Sequence, residues 1–390
     1  MSLSRRSFVQ TLGAGAAATW VASRGREGSL FGVEPLSAQG LQPAPGPVPS
    51  IILSSNENPL GTHKDVLAAI RAAAFPEVNR YPFATADEVM ELLAKKNGVK
   101  KENVLLGSGS TQLLRTATHV FTSKTAGLVA PLPAYEECAD YARLMGHPLT
   151  GVKLSEKLYM DLDAMQAAAK GAGLVFYCNP NNPVATAING SDTKAYLATL
   201  QKNSPNTTVL VDEAYFEYGT MAGYETMIPV AVANPRVIVA RTFSKCFGMA
   251  GIRMGYAIGH KDTIAKMAAW DGPGSISMIA LQGAKAALGI DPKWLEGEKV
   301  RNAESRAFTQ KWFADHGYPT TDSQSNFMFV NIKRPAREFR AACLADGVSV
   351  GRDFPPYEKT HCRISVGTLA EMQKAVQTFE KALAKPAVAA

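Results

Sequence analysis

The strongest constraint on this chain is a series of short apolar runs separated by stretches of helical pattern. The runs fall at 104–106, 127–130, 174–177, 208–211, 236–240 and 256–258. Apolar runs without polar alternation belong to strands covered on both faces, as in the parallel sheets of α/β proteins. Between them lie helical patterns. In 87–97, for example, Val89, Leu92 and Leu93 recur at helical spacing before a stop at Asn97-Gly98. The expected fold is therefore α/β, a large domain built on a mostly parallel, doubly wound sheet.

Beyond about residue 290 the pattern changes. A long helix is expected over 292–315, then an apolar run at 326–331, a helix over 336–345 and a second run at 361–366. These read as a smaller α+β domain, against which the 51–75 segment is expected to pack. The resulting division is 1–47 signal and flexible linker, 48–80 N-terminal arm, 81–285 large domain and 286–385 small C-terminal domain.

The first residues carry a separate message. Ser4-Arg5-Arg6-Ser7-Phe8-Val9-Gln10 resembles a twin-arginine export motif. The Ala- and Gly-rich stretch that follows is too short to span a membrane, and 23–47 is rich in Gly, Pro and Ser. The expected destination is the periplasm or beyond; without a working signal it is the cytoplasm. The twin-arginine route carries folded proteins, which suits one that takes up its cofactor in the cytosol. The net charge of +7 comes from scattered Lys and Arg, so no nucleic-acid surface is expected. Five dispersed cysteines without a C-x-x-C, and histidines without H-x-x-x-H spacing, give no metal site or disulfide framework.

Ligands of open α/β sheets sit beyond the carboxyl ends of the strands. The residues that follow these strands are Gly107-Ser108-Gly109-Ser110-Thr111, then Asn179 to Pro183, Asp212, and Thr242-Phe243-Ser244-Lys245. Each has a task if the ligand is a pyridine aldehyde phosphate. The small Gly/Ser loop opens a helix and offers backbone N–H groups to an anion. Ser110, Thr111 and Ser244 add hydroxyls, and Arg253 adds a charge-assisted contact. Asp212 closes a hydrophobic strand, where a carboxylate is costly unless paired; a protonated pyridine nitrogen is a natural partner. An aspartate there also serves as a helix cap. Lys245 supplies the amine for covalent attachment and proton transfer.

Taken together, these motifs resemble the fold-type I pyridoxal-phosphate aminotransferases, most closely the histidinol-phosphate aminotransferase branch. The resemblance runs over about 50–382. It includes Ser55-Asn56-Glu57-Asn58-Pro59-Leu60-Gly61, Arg80-Tyr81-Pro82, Pro133-Ala134-Tyr135, Asp212-Glu213-Ala214-Tyr215, Gly251-Ile252-Arg253-Met254-Gly255 and Cys362-Arg363-Ile364-Ser365-Val366-Gly367. It implies pyridoxal 5'-phosphate held by Lys245, with Asp212 on the ring nitrogen and Asn182 and Tyr215 on the ring hydroxyl. Tyr135 would stack on the ring, unless it is a core tyrosine. Ser108, Gly109, Ser110, Thr242, Ser244 and Arg253 would form the phosphate cup. Tyr81 would reach the cofactor phosphate of a second subunit, making a homodimer with shared sites. Arg363 would grip the anionic group of the substrate, with Asn58 and Asn182 beside it. Arg352 is either a second anion contact or a surface arginine.

The implied reaction moves an amino group from an anionic amine or amino acid, of histidinol-phosphate or aromatic type, to a 2-oxo acid. The cofactor frame alone also admits a decarboxylase or lyase, and more remotely a non-catalytic binding module. In two places the chain departs from the family. Asn182-Pro183-Val184-Ala185 stands where members commonly have Asn-Pro-Thr-Gly, so a differently shaped loop is expected. The Phe354-Pro355-Pro356-Tyr357 segment near Arg352 is unlike that of a histidine-biosynthetic enzyme, and such a step has no obvious place outside the cytoplasm.

Overall fold

The computed structural model describes residues 49–74, 78–270 and 275–384; the export motif and linker expected over 1–47 lie outside them. The strands are β1 (Ile51–Leu53), β2 (Val104–Gly107), β3 (Leu128–Leu132), β4 (Leu149–Lys153), β5 (Leu174–Cys178), β6 (Thr208–Asp212), β7 (Val237–Thr242), β8 (Gly255–Gly259), β9 (Phe327–Asn331), β10 (Val348–Val350) and β11 (His361–Ser365). Seven of them form one sheet in the order β2-β8-β7-β6-β5-β3-β4. β4, β3, β5, β6 and β7 run parallel, and β8 is antiparallel to both β7 and β2. β2 therefore points the same way as the parallel strands, and the sheet is mixed but mostly parallel.

Strand alternation distributes the apolar side chains between two layers. Val175, Val209, Val211, Val237 and Val239 enter one core together with Leu93, Leu197 and Leu281 from covering helices. Phe176, Leu210, Ile238 and Ala240 enter the opposite core with Leu113, Cys138 and Ile264. Both faces are thus dry, which is why these strands read as unbroken apolar runs. The five cysteines are free and buried within such cores.

The 48–80 arm divides between two environments. β1 pairs in parallel with β10, and Ile51 and Leu53 join a core with Phe313, Met328, Phe339, Ile364 and Phe379. The helix Lys64–Ala73 instead packs on Met278–Leu288, and its Val66 enters the main core. β9 and β11 pair antiparallel with Arg363 opposite Phe329. The helices Pro292–Asp315 and Ala336–Ala345 occupy the stretches expected for them.

Candidate active site

Sheet direction gathers the site. The carboxyl ends of β2, β5, β6 and β7 and the start of β8 share one edge, with Gly107 and Thr242 both level with Gly255 and Cys178 level with Asp212. At that edge lies a cavity of about 290 Å³. Its lining brings together Ser110, Tyr135, Asn182, Asp212, Tyr215, Thr242, Ser244, Lys245, Arg253, Arg352 and Arg363, all singled out from the sequence. Four of its lining residues are cations, Lys245, Arg253, Arg352 and Arg363, and one is an acid, Asp212. Such an excess of positive charge suits anionic ligands.

Asp212 is 3% exposed at the end of β6. It accepts one backbone hydrogen bond, from Ala214 N–H at 3.2 Å. Among the described residues it has no ion-pair partner, and burial pushes its carboxyl up to about 7. Lys245 follows β7, and its Nζ donates to the Ser55 carbonyl at 3.3 Å. Burial, and secondarily the Arg363 charge, lowers its pKa to about 8. A buried acid short of a cation and an amine whose charged form is weakened by burial therefore face one cavity.

Small polar residues and Arg253 gather at the ends of β2 and β7. The helix Gly109–Phe121 presents Ser110 and Thr111 in its first turn. The Thr242 hydroxyl donates to Ser244 Oγ at 2.9 Å, and Arg253 Nη1 donates to the same Oγ at 3.2 Å. Gly109 has φ +74, and a Cβ there would collide with the Arg253 guanidinium, so glycine is required on two counts. The Ser108 N–H donates to Gln112 Oε1 at 2.6 Å.

At the other end, Arg363 donates to Asn182 Oδ1 at 2.8 Å and to the Ser54 carbonyl at 2.6 Å. Its Nε is buried without a hydrogen-bond partner. Burial lowers its pKa to about 10, and no carboxylate lies within ion-pair distance among the described residues. Tyr135, whose hydroxyl burial pushes up to about 12, and Tyr215 supply aromatic walls. Arg352 pairs with Glu136 at 2.6 Å.

One expectation needs correction. Asn58 is not brought to the cavity. Its Nδ2 donates to the Cys246 carbonyl at 3.0 Å and to Glu298 Oε2 at 2.8 Å, and its Oδ1 accepts from Leu60 N–H. Asn56 lines the cavity instead. It sits at φ +55 and donates its amide to the Tyr215 hydroxyl oxygen at 3.1 Å. Asparagine tolerates that left-handed turn, but nothing local in the sequence points to Tyr215 as its partner. In the Asn182-Pro183-Val184-Ala185 loop the backbone is left-handed at Ala185. Ala185 adopts φ +66, the conformation glycine favours, and its N–H donates to the Asn181 carbonyl at 2.6 Å. Tyr81 is 81% exposed, stacks on Phe83 and takes no part in the lining of this cavity.

Comparison with known proteins places this arrangement. A profile described as aminotransferase class I and II matches residues 48–379. The chain belongs to that family. A histidinol-phosphate aminotransferase of Symbiobacterium thermophilum is 34% identical over 332 residues, 85% of this chain and 90% of the relative. An aromatic amino acid aminotransferase of Thermobifida fusca is 32% identical, over 81% of this chain and 85% of its own. Among solved structures, the histidinol-phosphate aminotransferase of Sinorhizobium meliloti in complex with pyridoxal-5'-phosphate superposes with a TM-score of 0.79. It is 26% identical and covers 86% of this chain and 91% of that one. The α/β architecture expected from the sequence is thus that of the family.

Proposed function

We propose that this protein is a pyridoxal-phosphate aminotransferase moving an amino group from an anionic amino acid or amine, of histidinol-phosphate or aromatic type, to a 2-oxo acid. One observation carries the proposal: Asp212 and Lys245, at the ends of adjacent strands, line a cavity that holds three further cations and no second acid. The residues present suit the cofactor. Asp212 lacks a cation, Arg363 has an orphaned buried Nε, and the Gly109 cradle closes on Arg253 with no room for a side chain.

Pyridoxal phosphate, when bound, supplies the electron sink that stabilises charge on the substrate α-carbon. The chain provides the rest. Ser110, Thr242, Ser244 and Arg253, with the Gly109 N–H end of the helix, would hold the phosphate dianion. The Asp212 carboxylate would keep the proton on the ring nitrogen. Asn182 and Tyr215 would hold the ring hydroxyl oxygen. Because the Tyr215 oxygen already accepts from Asn56, its O–H is left to donate into the site. Lys245 would be the attachment point and, once released, would move the α-proton on Nζ; a pKa near 8 gives it a usable uncharged fraction. Arg363 would receive the substrate carboxylate in a fork already oriented by Asn182.

Two wider expectations remain proposals. A homodimer is supported by Tyr81, which is exposed and clear of the cavity lining in its own chain; light scattering that gives a monomer would reject it. Export is supported by Arg5 and Arg6; retention of the full chain in the cytoplasm, with no change on Arg5→Lys/Arg6→Lys replacement, would reject it. The cofactor assignment is tested by borohydride reduction of the loaded protein and peptide mass spectrometry. The expected result is a phosphopyridoxyl group on Lys245; attachment at another lysine, or persistence of a reducible adduct in Lys245→Ala, would overturn it.

A further inference from the structure

A substrate carrying a phosphate ester brings two negative charges and needs more than one uncommitted cation. Two of the cavity's cations, Lys245 and Arg253, are taken up by the cofactor in the reading proposed above, on which this inference rests. That leaves Arg363 and Arg352, which differ in their state. Arg363 is buried, bonded only to neutral oxygens, and keeps Nε without a partner. Arg352 is committed on three sides. Its Nη2 meets Glu136 at 2.6 Å, its Nη1 donates to the Asp353 carbonyl at 3.1 Å, and its guanidinium lies 4.4 Å from the centre of the Phe354 ring.

Glu136 also stands at the start of a helix. It immediately precedes the helix Glu137–Leu144, where the helix dipole favours a negative charge. It also follows Tyr135, which lines the cavity, and its carboxylate meets Arg352, a second lining residue. Phe354 is 2% exposed, and its ring centre lies 4.7 Å from the Arg363 guanidinium as well. The region between the two arginines is therefore an aromatic surface with one neutralised and one available cation.

We infer that Glu136 sets the class of amino donor: by neutralising Arg352 it leaves Arg363 as the single anion grip, so the site prefers a donor with one carboxylate and an uncharged side chain over a phosphomonoester. Glu136 is a positioning residue in this account. It acts on the donor through Arg352 and through its own negative charge, which opposes a dianion more than a monoanion.

The test is calorimetric titration of the pyridoxal-phosphate-loaded protein with two unreactive probes, 3-phenylpropionate and 2-phenylethyl phosphate. The native protein is expected to bind the carboxylate at least as tightly as the phosphate ester, despite the ester's larger charge. In Glu136→Gln the ratio of affinities is expected to move about tenfold or more toward the phosphate ester, as release of the Arg352 charge to a dianion implies. Glu136→Gln combined with Arg352→Gln should lose that gain, which a purely structural role for Glu136 would not produce. Native preference for the phosphate ester by more than about tenfold, or a ratio unmoved in Glu136→Gln, overturns the inference and leaves the transaminase reading standing. Failure of both probes to bind overturns the anionic-donor reading and this inference with it.

Discussion

Replacing Asp212 with Asn is expected to remove a pH dependence from the stability of the cofactor-free protein. Burial raises the Asp212 carboxyl from the ordinary 3.8 to about 7. The folded chain thus holds this proton more tightly than the unfolded chain. The stabilisation is complete below about 3.8 and is lost as pH rises through about 7. At roughly 1.4 kcal/mol per tenfold in proton affinity, the whole span is about 4 kcal/mol. Between pH 5 and pH 7.5 the share is roughly 2.5 kcal/mol. Asparagine keeps the shape and cannot ionise. Chemical denaturation of both cofactor-free proteins across that range should show the wild type losing roughly 2.5 kcal/mol relative to Asp212→Asn as pH rises. His361, held down at about 4 by burial, affects both proteins alike and cancels in the difference. Bound cofactor should flatten the dependence, since a protonated ring nitrogen would then pair with the carboxylate. A difference between the two proteins that stays constant within about 0.5 kcal/mol over this range would mean that Asp212 does not gain a proton on folding.

Three further outcomes are expected. Arg363→Ala should weaken carboxylate donors by roughly 1.5–3 kcal/mol in kcat/KM, since it removes a charge-assisted fork; an unchanged value for every anionic amine rejects that role. Glu213→Ala leaves Arg241 as an unpaired charge beneath the site, where the pair is now 2.8 Å apart and nearly inaccessible to solvent. It should cost about 3–5 kcal/mol by denaturation, and a loss under about 1 kcal/mol would show that the pair is dispensable. Asn56→Ala removes the donor to Tyr215 and should weaken that hydroxyl toward the ring oxygen. The apparent pKa of the bound cofactor, followed by absorbance, should rise by roughly half a unit to one unit; a fall would contradict the relay.

The readable parts of the sequence are those where one physical cause dominates. β5, β6 and β7 are buried on both faces, so their apolar runs announce them, and a cavity-lining residue closes or follows each. β4 was not legible. It lies at the sheet edge, Gly151 interrupts it, and only Val152 along it is fully buried, so neither a run nor an alternation survives. β1 and β10 are three residues each, too short for a pattern, and exist because they pair with one another across the chain. The same division holds in the site. Asp212, Lys245 and Arg253 were legible from strand ends and motif spacing. Asn56 beside Tyr215 and Glu136 beside Arg352 were not, because each pairing is made by tertiary contact between distant segments. The loop at Ala185 shows the reverse case. Its residue type disfavours the left-handed backbone by about 1–2 kcal/mol, yet the surrounding structure imposes it.

Transfer of amino groups by a cofactor held at Lys245 is open to direct observation in the half-reaction. Loaded protein would be mixed singly with histidinol phosphate, histidine, phenylalanine, tyrosine, aspartate and glutamate while cofactor absorbance is followed. At least one donor should convert the cofactor fully to its amine form, and a 2-oxo acid should then restore the starting spectrum. A spectrum that changes on donor binding but never converts, or that no 2-oxo acid can restore, would contradict the transaminase account.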